Sequence, residues 1–239
     1  MEGIEQVILY SLASGVTVII GGFIGKIIAF PKTQIGREIS HGVVAFGGGI
    51  LVAAVAFVLA PRGLQSLSLP MLIFMFFFGV FSFLYVDRFI QQRGERAGQL
   101  LSMLMDFVPE AAALGAVFSS DKKTGLLLAL FIGVQNLPEA FNSFRDLVNS
   151  GFSSNKSLLI LAPFSLVGVI AAVCGYLFLV GHEGIIASLM VFSAGAILYL
   201  VFQDIAPMAK LRNHWMPTTG ATLGFMLGMI GEKVLGNLG

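Results

Sequence analysis

The chain has 239 residues, of which 56% are hydrophobic and only 11% charged, with a formal net charge of +1. Soluble domains carry about 25% charged residues, so a water-soluble globule is excluded, and the near-neutral balance offers nothing to nucleic acid. The single cysteine, Cys174, excludes an internal disulfide and is expected to serve packing. In a bilayer all backbone polar groups must be satisfied within the protein, by helices or by a closed barrel. Barrel strands would alternate over segments of about ten residues, whereas 69–86 is apolar almost throughout. The class that remains is an all-α integral membrane protein.

With about 20 residues per crossing, eight spans are predicted, over 4–29, 41–60, 68–88, 99–119, 124–145, 157–180, 184–206 and 216–236. The first is flanked by Glu2 and Glu5. A secretory leader has a basic flank and a shorter apolar core, so this segment is expected to remain as a span. The dividers are short polar or Pro/Gly-punctuated loops, and residues 1–239 read as a single transmembrane domain. Runs of small residues, such as Gly47, Gly48 and Gly49 or Gly220, Gly224 and Gly228, are expected to let helices approach closely. One side of the eight-span layout holds Lys26, Lys32, Arg37, Arg88, Arg93, Arg96, Arg145, Lys156, Lys210 and Arg212; the other holds Arg62, Lys122, Lys123 and Lys233. The richer side is expected in the cytoplasm, which sends both termini outward across a plasma (inner) membrane.

Two repeats emerge. Phe46, Gly49, Val55, Ala60 and Pro61 match Phe192, Gly195, Val201, Ala206 and Pro207 at a fixed offset of 146. Val108-Pro109-Glu110-Ala111 echoes Leu137-Pro138-Glu139-Ala140. In each case the two copies cross in opposite directions. The layout predicted is a 3+2+3 inverted repeat, an arrangement typical of transporters whose substrate binds at the midplane between interrupted helices.

Ionisable residues inside a membrane mark function by default, and few exist here. Asp106 and Glu110 share a face of the fourth span, being four residues apart; Gln135 and Glu139 do the same in the fifth, with Asn136 beside them. Gln203 and Asp204 lie deep in the seventh. Pro109 and Pro138 cannot donate to the carbonyls of Met105 and Val134 four residues back. Two kinked helices could therefore present four to six oxygens and up to three negative charges. Crowded carboxylates repel, and a bound dication or exchangeable protons would relieve that. The plainer reading of each acid is a protonated group bonded to a neighbouring helix. Asp87-Arg88 and Arg145-Asp146 read as interfacial ion pairs, His41, His182 and His214 as surface residues, and Met103, Met105 and Met208 as packing.

Gln135-Asn136-Leu137-Pro138-Glu139 resembles the His/Gln-Asn-x-Pro-Glu-Gly motif of the ZIP (Zrt/Irt-like) metal transporters. The resemblance extends over the whole chain: eight spans, outward termini and paired Pro-Glu helices. It implies a metal site between spans four and five, and movement of a domain containing them against the rest. The family's span-four His, Asn and Glu fall on Asp106, Phe107 and Glu110; its span-five ligands fall on Gln135, Asn136 and Glu139. The Gly after each Glu is Ala here, at 111 and 140, and the Glu some members carry in span six falls near Gly168. The metal ligands so implied are Asp106, Glu110, Gln135 and Glu139, with Asn136, Gln203 and Asp204 as secondary or pathway groups. Phe107 and Gly168 offer no ligand, which implies a mononuclear member.

The expected function is transport of a divalent cation (Zn²⁺, Mn²⁺, Fe²⁺ or Cd²⁺), with the metal as substrate, no prosthetic group and no enzymatic activity. A site of oxygens without histidine favours harder ions over Zn²⁺. The expected partner is the lipid bilayer, with room for a homodimer. The alternatives are a non-transporting metal sensor or scaffold, and a proton-coupled carrier of another solute. An intramembrane metalloprotease would need a His-Glu-x-x-His ligand set, and no histidine lies mid-span.

Overall fold

A computed structural model describes residues 2–27, 34–93, 98–118, 120–209 and 215–236; within these, the side chains at 2, 90–93, 98–102, 105, 106, 208 and 236 lie outside the description. Every regular element described is helical: α1 (Glu2–Ile27), α2 (Gln34–Ala54), α3 (Ala60–Ser66), α4 (Leu69–Arg93), α5 (Gly98–Phe118), α6 (Lys122–Asn149), α7 (Ser154–Leu161), α8 (Phe164–Leu179), α9 (Glu183–Leu200), α10 (Ala206–Ala209) and α11 (Met216–Gly236). Among the described residues six uninterrupted or jointed helices are long and apolar enough to cross a membrane: Gly3–Ile27, Gln34–Ser66, Leu69–Phe89, Lys122–Asn149, Ser154–Leu179 and Glu183–Ile205. The segment Phe107–Phe118 of α5 is a shorter apolar helix. The spans expected over 99–119 and 216–236 coincide with α5 and α11. Polar residues in the first half of α5, and the glycines and threonines of α11, dilute the apolarity of those two helices.

Three joints depart from the expected spans. The sixth is broken by Pro163, where α7 gives way to α8, because proline supplies no N–H to the helical ladder. More telling are two single π-helical turns, Val55–Leu59 between α2 and α3 and Val201–Ile205 between α9 and α10. Each precedes the Ala-Pro pair of the 146-residue repeat. The N–H of Ala60 reaches back five residues to Val55 O, and that of Ala206 does the same to Val201 O. Widening the ladder by one residue lets the helix continue past Pro61 and Pro207.

Glycine sets the packing. An added Cβ on Gly49 would run into the carbonyl of Ala221, and one on Gly224 into that of Phe46, so α2 and α11 pack backbone to backbone. In the same manner Gly195 abuts Phe76 O and Gly79 abuts Phe192 O, joining α9 to α4. Gly224 and Ala221 stand 145 residues after Gly79 and Phe76, so the two junctions repeat each other residue for residue. Gly21 against Leu137 O joins α1 to α6, and Gly115 against Ala172 O with Gly175 against Ala112 O joins α5 to α8. Over longer stretches the residue numbers rise together, from Gly42 by Met216 to Ala53 by Gly228, from Phe76 by Gly195 to Asp87 by Tyr199, from Ser14 by Gly133 to Gly25 by Phe144, and from Phe107 by Gly168 to Ala112 by Gly175, so each pair runs parallel. The molecule thus divides into two groups of helices: α1, α5, α6, α7 and α8, and α2, α3, α4, α9, α10 and α11. They meet chiefly where α2 faces α6 and α5 faces α9. The outward faces carry large apolar side chains, among them Phe74, Phe77, Phe78 and Phe81 of α4, as lipid contact requires.

The two ends of the bundle differ. At one, Arg62 of α3 pairs with Glu183 at the start of α9 and approaches Asp121 before α6 at 4.0 Å, while Lys123 lies 3.7 Å from Glu232 of α11. Burial alone would raise the Asp121 carboxyl. The Thr124 hydroxyl and backbone N–H, with Arg62 and Lys123, outweigh it and hold this carboxyl below the ordinary aspartate range. At the other end Lys26 donates to Asn155 at 2.9 Å and Arg145 donates to Ser40. Tight reversals at Gly151 and Gly181, with φ of +94° and +83°, close the α6–α7 and α8–α9 connections in a conformation that glycine adopts without strain.

Candidate functional site

The site grows out of two antiparallel helices with prolines inside them, Pro109 in α5 and Pro138 in α6. Gln135 Nε2 donates to Glu110 Oε2 at 2.7 Å, joining α5 to α6 through a fully buried contact; Glu110 is 1% exposed and Gln135 0%. The neighbouring Asn136, also buried, turns to α1 and donates Nδ2 to the carbonyl of Ser14 at 3.0 Å. That carbonyl also accepts the Thr17 hydroxyl at 2.5 Å. Both carboxamides thus have their N–H₂ groups committed. Their oxygens, Gln135 Oε1 and Asn136 Oδ1, are buried and accept nothing. A buried acceptor without a donor costs about 1–3 kcal/mol, and a cation would satisfy it.

Glu139 follows Gln135 by one turn, and both its carboxylate oxygens are shielded from solvent. Pro138 lies between them in sequence and is packed against α2, where a Cβ on Gly47 would meet its ring at 2.7 Å. The absence of a side chain at Gly47 lets α2, of the second group of helices, come up to the site. Of the four expected ligands, Glu110 and Gln135 are brought into contact and Glu139 shares their buried neighbourhood on α6. Asp106 lies on α5 one turn before Glu110, and its side chain is outside the described residues. Among the described residues no group of three or more His, Cys, Asp or Glu side chains is close enough to hold a metal.

Phe107 and Gly168 prove to be partners. The Phe107 ring, 1% exposed, lies against Gly168, where an added Cβ would collide with ring carbons. The volume that a side chain at 168 would need is occupied by an apolar ring.

Gln203 and Asp204 sit in the second π turn, Gln203 exposed and Asp204 half-buried. That turn packs on α2, with Ile205 against Gly48. Asp204 is near enough to Asp87 to interact with it electrostatically, and Asp87 accepts the Tyr199 hydroxyl at 3.0 Å. These groups therefore form a separate polar patch where α4 meets α9. At neighbouring positions Asp87 takes the Tyr199 hydroxyl, and Arg145 donates to the Ser40 hydroxyl and lies 5.5 Å from the face of Phe141. His182 is exposed as expected, whereas His41 is half-buried; His214 lies outside the described residues. Met103 is core, 2% exposed. Cys174, expected in packing, is exposed on α8. Sequence reasoning missed the Ser14 carbonyl, because a backbone acceptor on another helix leaves no mark on the residue type.

A buried Gln–Glu bridge thus joins two proline-containing helices inside a bundle of apolar helices. Residues 97–232 match the ZIP zinc transporter family, and the chain belongs to that family. It is 27% identical over 118 residues to the zinc transporter zipt-7.1 of Caenorhabditis briggsae, 29% over 139 residues to the zinc transporter GufA of Myxococcus xanthus, and 31% over 106 residues to the zinc transporter ZIP4 of Mus musculus. These alignments cover 47%, 57% and 44% of this chain, and 30%, 55% and 16% of the respective relatives.

Proposed function

We propose that this protein carries a divalent metal cation across the bilayer through a site between α5 and α6 formed by Asp106, Glu110, Gln135 and Glu139, with Asn136 as an additional oxygen. The carrying observation is the buried Gln135 Oε1, without a donor, on the side chain that bridges to the Glu110 carboxylate; Asn136 Oδ1, one residue on, is likewise buried and without a donor. A cluster of acceptors without donors, at membrane depth, suits a cation and does not suit an organic solute. The donor set is all oxygen, which suits Mn²⁺ and Fe²⁺ as well as Zn²⁺ or Cd²⁺. Relatives named as zinc transporters support the cargo class. Phe107 packed on Gly168 supports a single-metal site.

In this reading α5 and α11 also cross the membrane, making eight crossings in a 3+2+3 inverted repeat. The matched π turns and the matched glycine junctions support it. So do the two ends of the bundle. Arg62, Lys123 and their acidic partners gather at the end with fewer cations, whereas Lys26 and Arg145 lie at the other; both termini then face outward from a plasma membrane. Gln203 and Asp204, near Asp87, would line an approach along the second π turn.

The test is uptake of Zn²⁺, Mn²⁺, Fe²⁺ and Cd²⁺ into proteoliposomes, with Glu110→Ala and Glu139→Ala compared at matched folding. Saturable uptake of at least one metal by the parent, lost in both variants, is expected. Metal-dependent thermal stabilisation without uptake of any metal, under several pH gradients, would move the protein to a sensor or scaffold.

A further inference from the structure

Among the described residues eight serines are buried: Ser11, Ser14, Ser40, Ser143, Ser157, Ser165, Ser188 and Ser193. Six of them bond to a carbonyl three or four residues back in their own chain, the usual way a serine quiets its hydroxyl in a membrane helix. Ser40 instead accepts from Arg145. Ser143 alone has no partner for its Oγ, although it is 1% exposed. Carbonyls are on offer one turn back, as they are for the other six, and the hydroxyl does not take them.

Its position is as telling as its isolation. Gln135, Glu139 and Ser143 follow one another at intervals of four, so they form an oxygen-bearing line down one face of α6. The line starts at the Gln135–Glu110 bridge and runs toward the end of α6 where Arg145 meets Ser40. A hydroxyl carries two lone pairs and no charge. It can therefore take part in holding a cation that already has a carboxylate for company, without binding it so tightly that it cannot leave.

We propose that Ser143 is a further metal ligand, an oxygen station one turn beyond Glu139 through which the cation passes between the α5–α6 cluster and the Arg145 end of the bundle. The cargo in this statement rests on the carrier reading above. The station itself rests on burial, register and the unused hydroxyl.

A thiol placed at this position gives a readout that does not depend on transport. The full-length chain carrying Cys174→Ser, to remove the native thiol, is compared with the same chain carrying Ser143→Cys as well. Cd²⁺ is titrated into each in detergent and thiolate-to-cadmium charge-transfer absorption is recorded. A saturable band in the Ser143→Cys protein only, weakened about tenfold or more in affinity by adding Glu139→Ala, is the expected result. In proteoliposomes, Ser143→Cys should shift uptake from Mn²⁺ toward Cd²⁺, because thiolate is the softer ligand, and Ser143→Ala should slow Mn²⁺ uptake several-fold. The absence of a cadmium band overturns the station, and so does a band indifferent to Glu139. Should the parent take up no metal, the carrier reading fails, yet a Glu139-dependent band would still place Ser143 in the metal site. Intact uptake in Ser143→Ala with no cadmium band has the opposite meaning: the carrier stands and Ser143 is filler.

Discussion

Among the prolines of the helices, four sit at two kinds of place, and the protein treats them differently. At Pro61 and Pro207 the helix widens into a π turn, and the ladder is carried past the proline by a bond five residues long. At Pro109 and Pro138 the helix runs on as α, and the carbonyls of Met105 and Val134 lose the N–H that would have come from the proline position. The first pair repairs its backbone and stands away from the α5–α6 site, with Arg62 beside Pro61 and Asp204 just before Pro207. The second stands beside Glu110, Gln135 and Glu139 and leaves oxygen unspent. The same residue thus serves as a packing joint in one region and as part of an oxygen-rich pocket in the other.

The largest effect should come from the second region. Glu110→Gln keeps the shape and removes the charge, and metal uptake is expected to fall about a hundredfold, toward background, with thermal stability changed far less. If uptake persisted within a few-fold of the parent, the carboxylate would be only a structural partner of Gln135.

The glycine junctions come next, and they concern stability. Gly195→Val would drive a side chain into the Phe76 carbonyl, and a loss of roughly 2–3 kcal/mol is expected from such overpacking, read as a lowered unfolding midpoint in detergent. Gly49→Val, its repeat-mate, should cost a similar amount. Unequal effects would break the equivalence of the two junctions.

A smaller change is expected at the joints. Pro207→Ala restores an N–H and should shift stability by no more than about 1 kcal/mol, leaving metal uptake within a few-fold. A drop as large as that from Glu110→Gln would mean that the two kinds of proline are not distinct after all.

The smallest effect belongs to Asp121. Its carboxyl is held below the ordinary range despite partial burial, through Thr124, Arg62 and Lys123. A depressed pKa stabilises the fold above the unfolded value and loses that stabilisation only as pH falls through the folded one. The contribution of Asp121 should therefore be flat from neutrality to about pH 5 and fade below about pH 4. Asp121→Asn, which keeps the cap, should cost a few tenths of a kcal/mol, and its difference from the parent should vanish in acid. Unfolding midpoints measured across pH check both.

The outline of this fold was legible because apolar runs and loop punctuation report directly on what a bilayer tolerates. The repeat was legible too, since Phe46, Gly49, Ala60 and Pro61 recur with their spacing intact. The π turns were not, because hydropathy does not distinguish a bond five residues long from one of four. The break at Pro163 was lost inside a run of apolar residues. At the site, intervals of four put Glu110 and Gln135 on candidate faces, and the structure joins them. Asn136 could not be placed, because its partner is the Ser14 backbone. Ser143 was overlooked although it stands four residues after Glu139, since a serine in a membrane helix ordinarily satisfies itself. Cys174 was misplaced inside because an apolar run reveals burial on average and not for one face.

The glycine junctions carry a mechanical meaning. Each approach of a glycine to a carbonyl, from Gly15 on Ser165 to Gly224 on Phe46, joins helices of the same group. Glycines that face across the divide meet only side chains: Gly47 the Pro138 ring, Gly228 the Phe131 ring, Gly231 the Leu130 and Leu127 methyls. Backbone seated on backbone fixes register, while side chains that change rotamer can slide past one another by small increments. The divide between α2 and α6 is therefore the plane of least resistance to shear, and Pro138, between Gln135 and Glu139 on α6, lies on it.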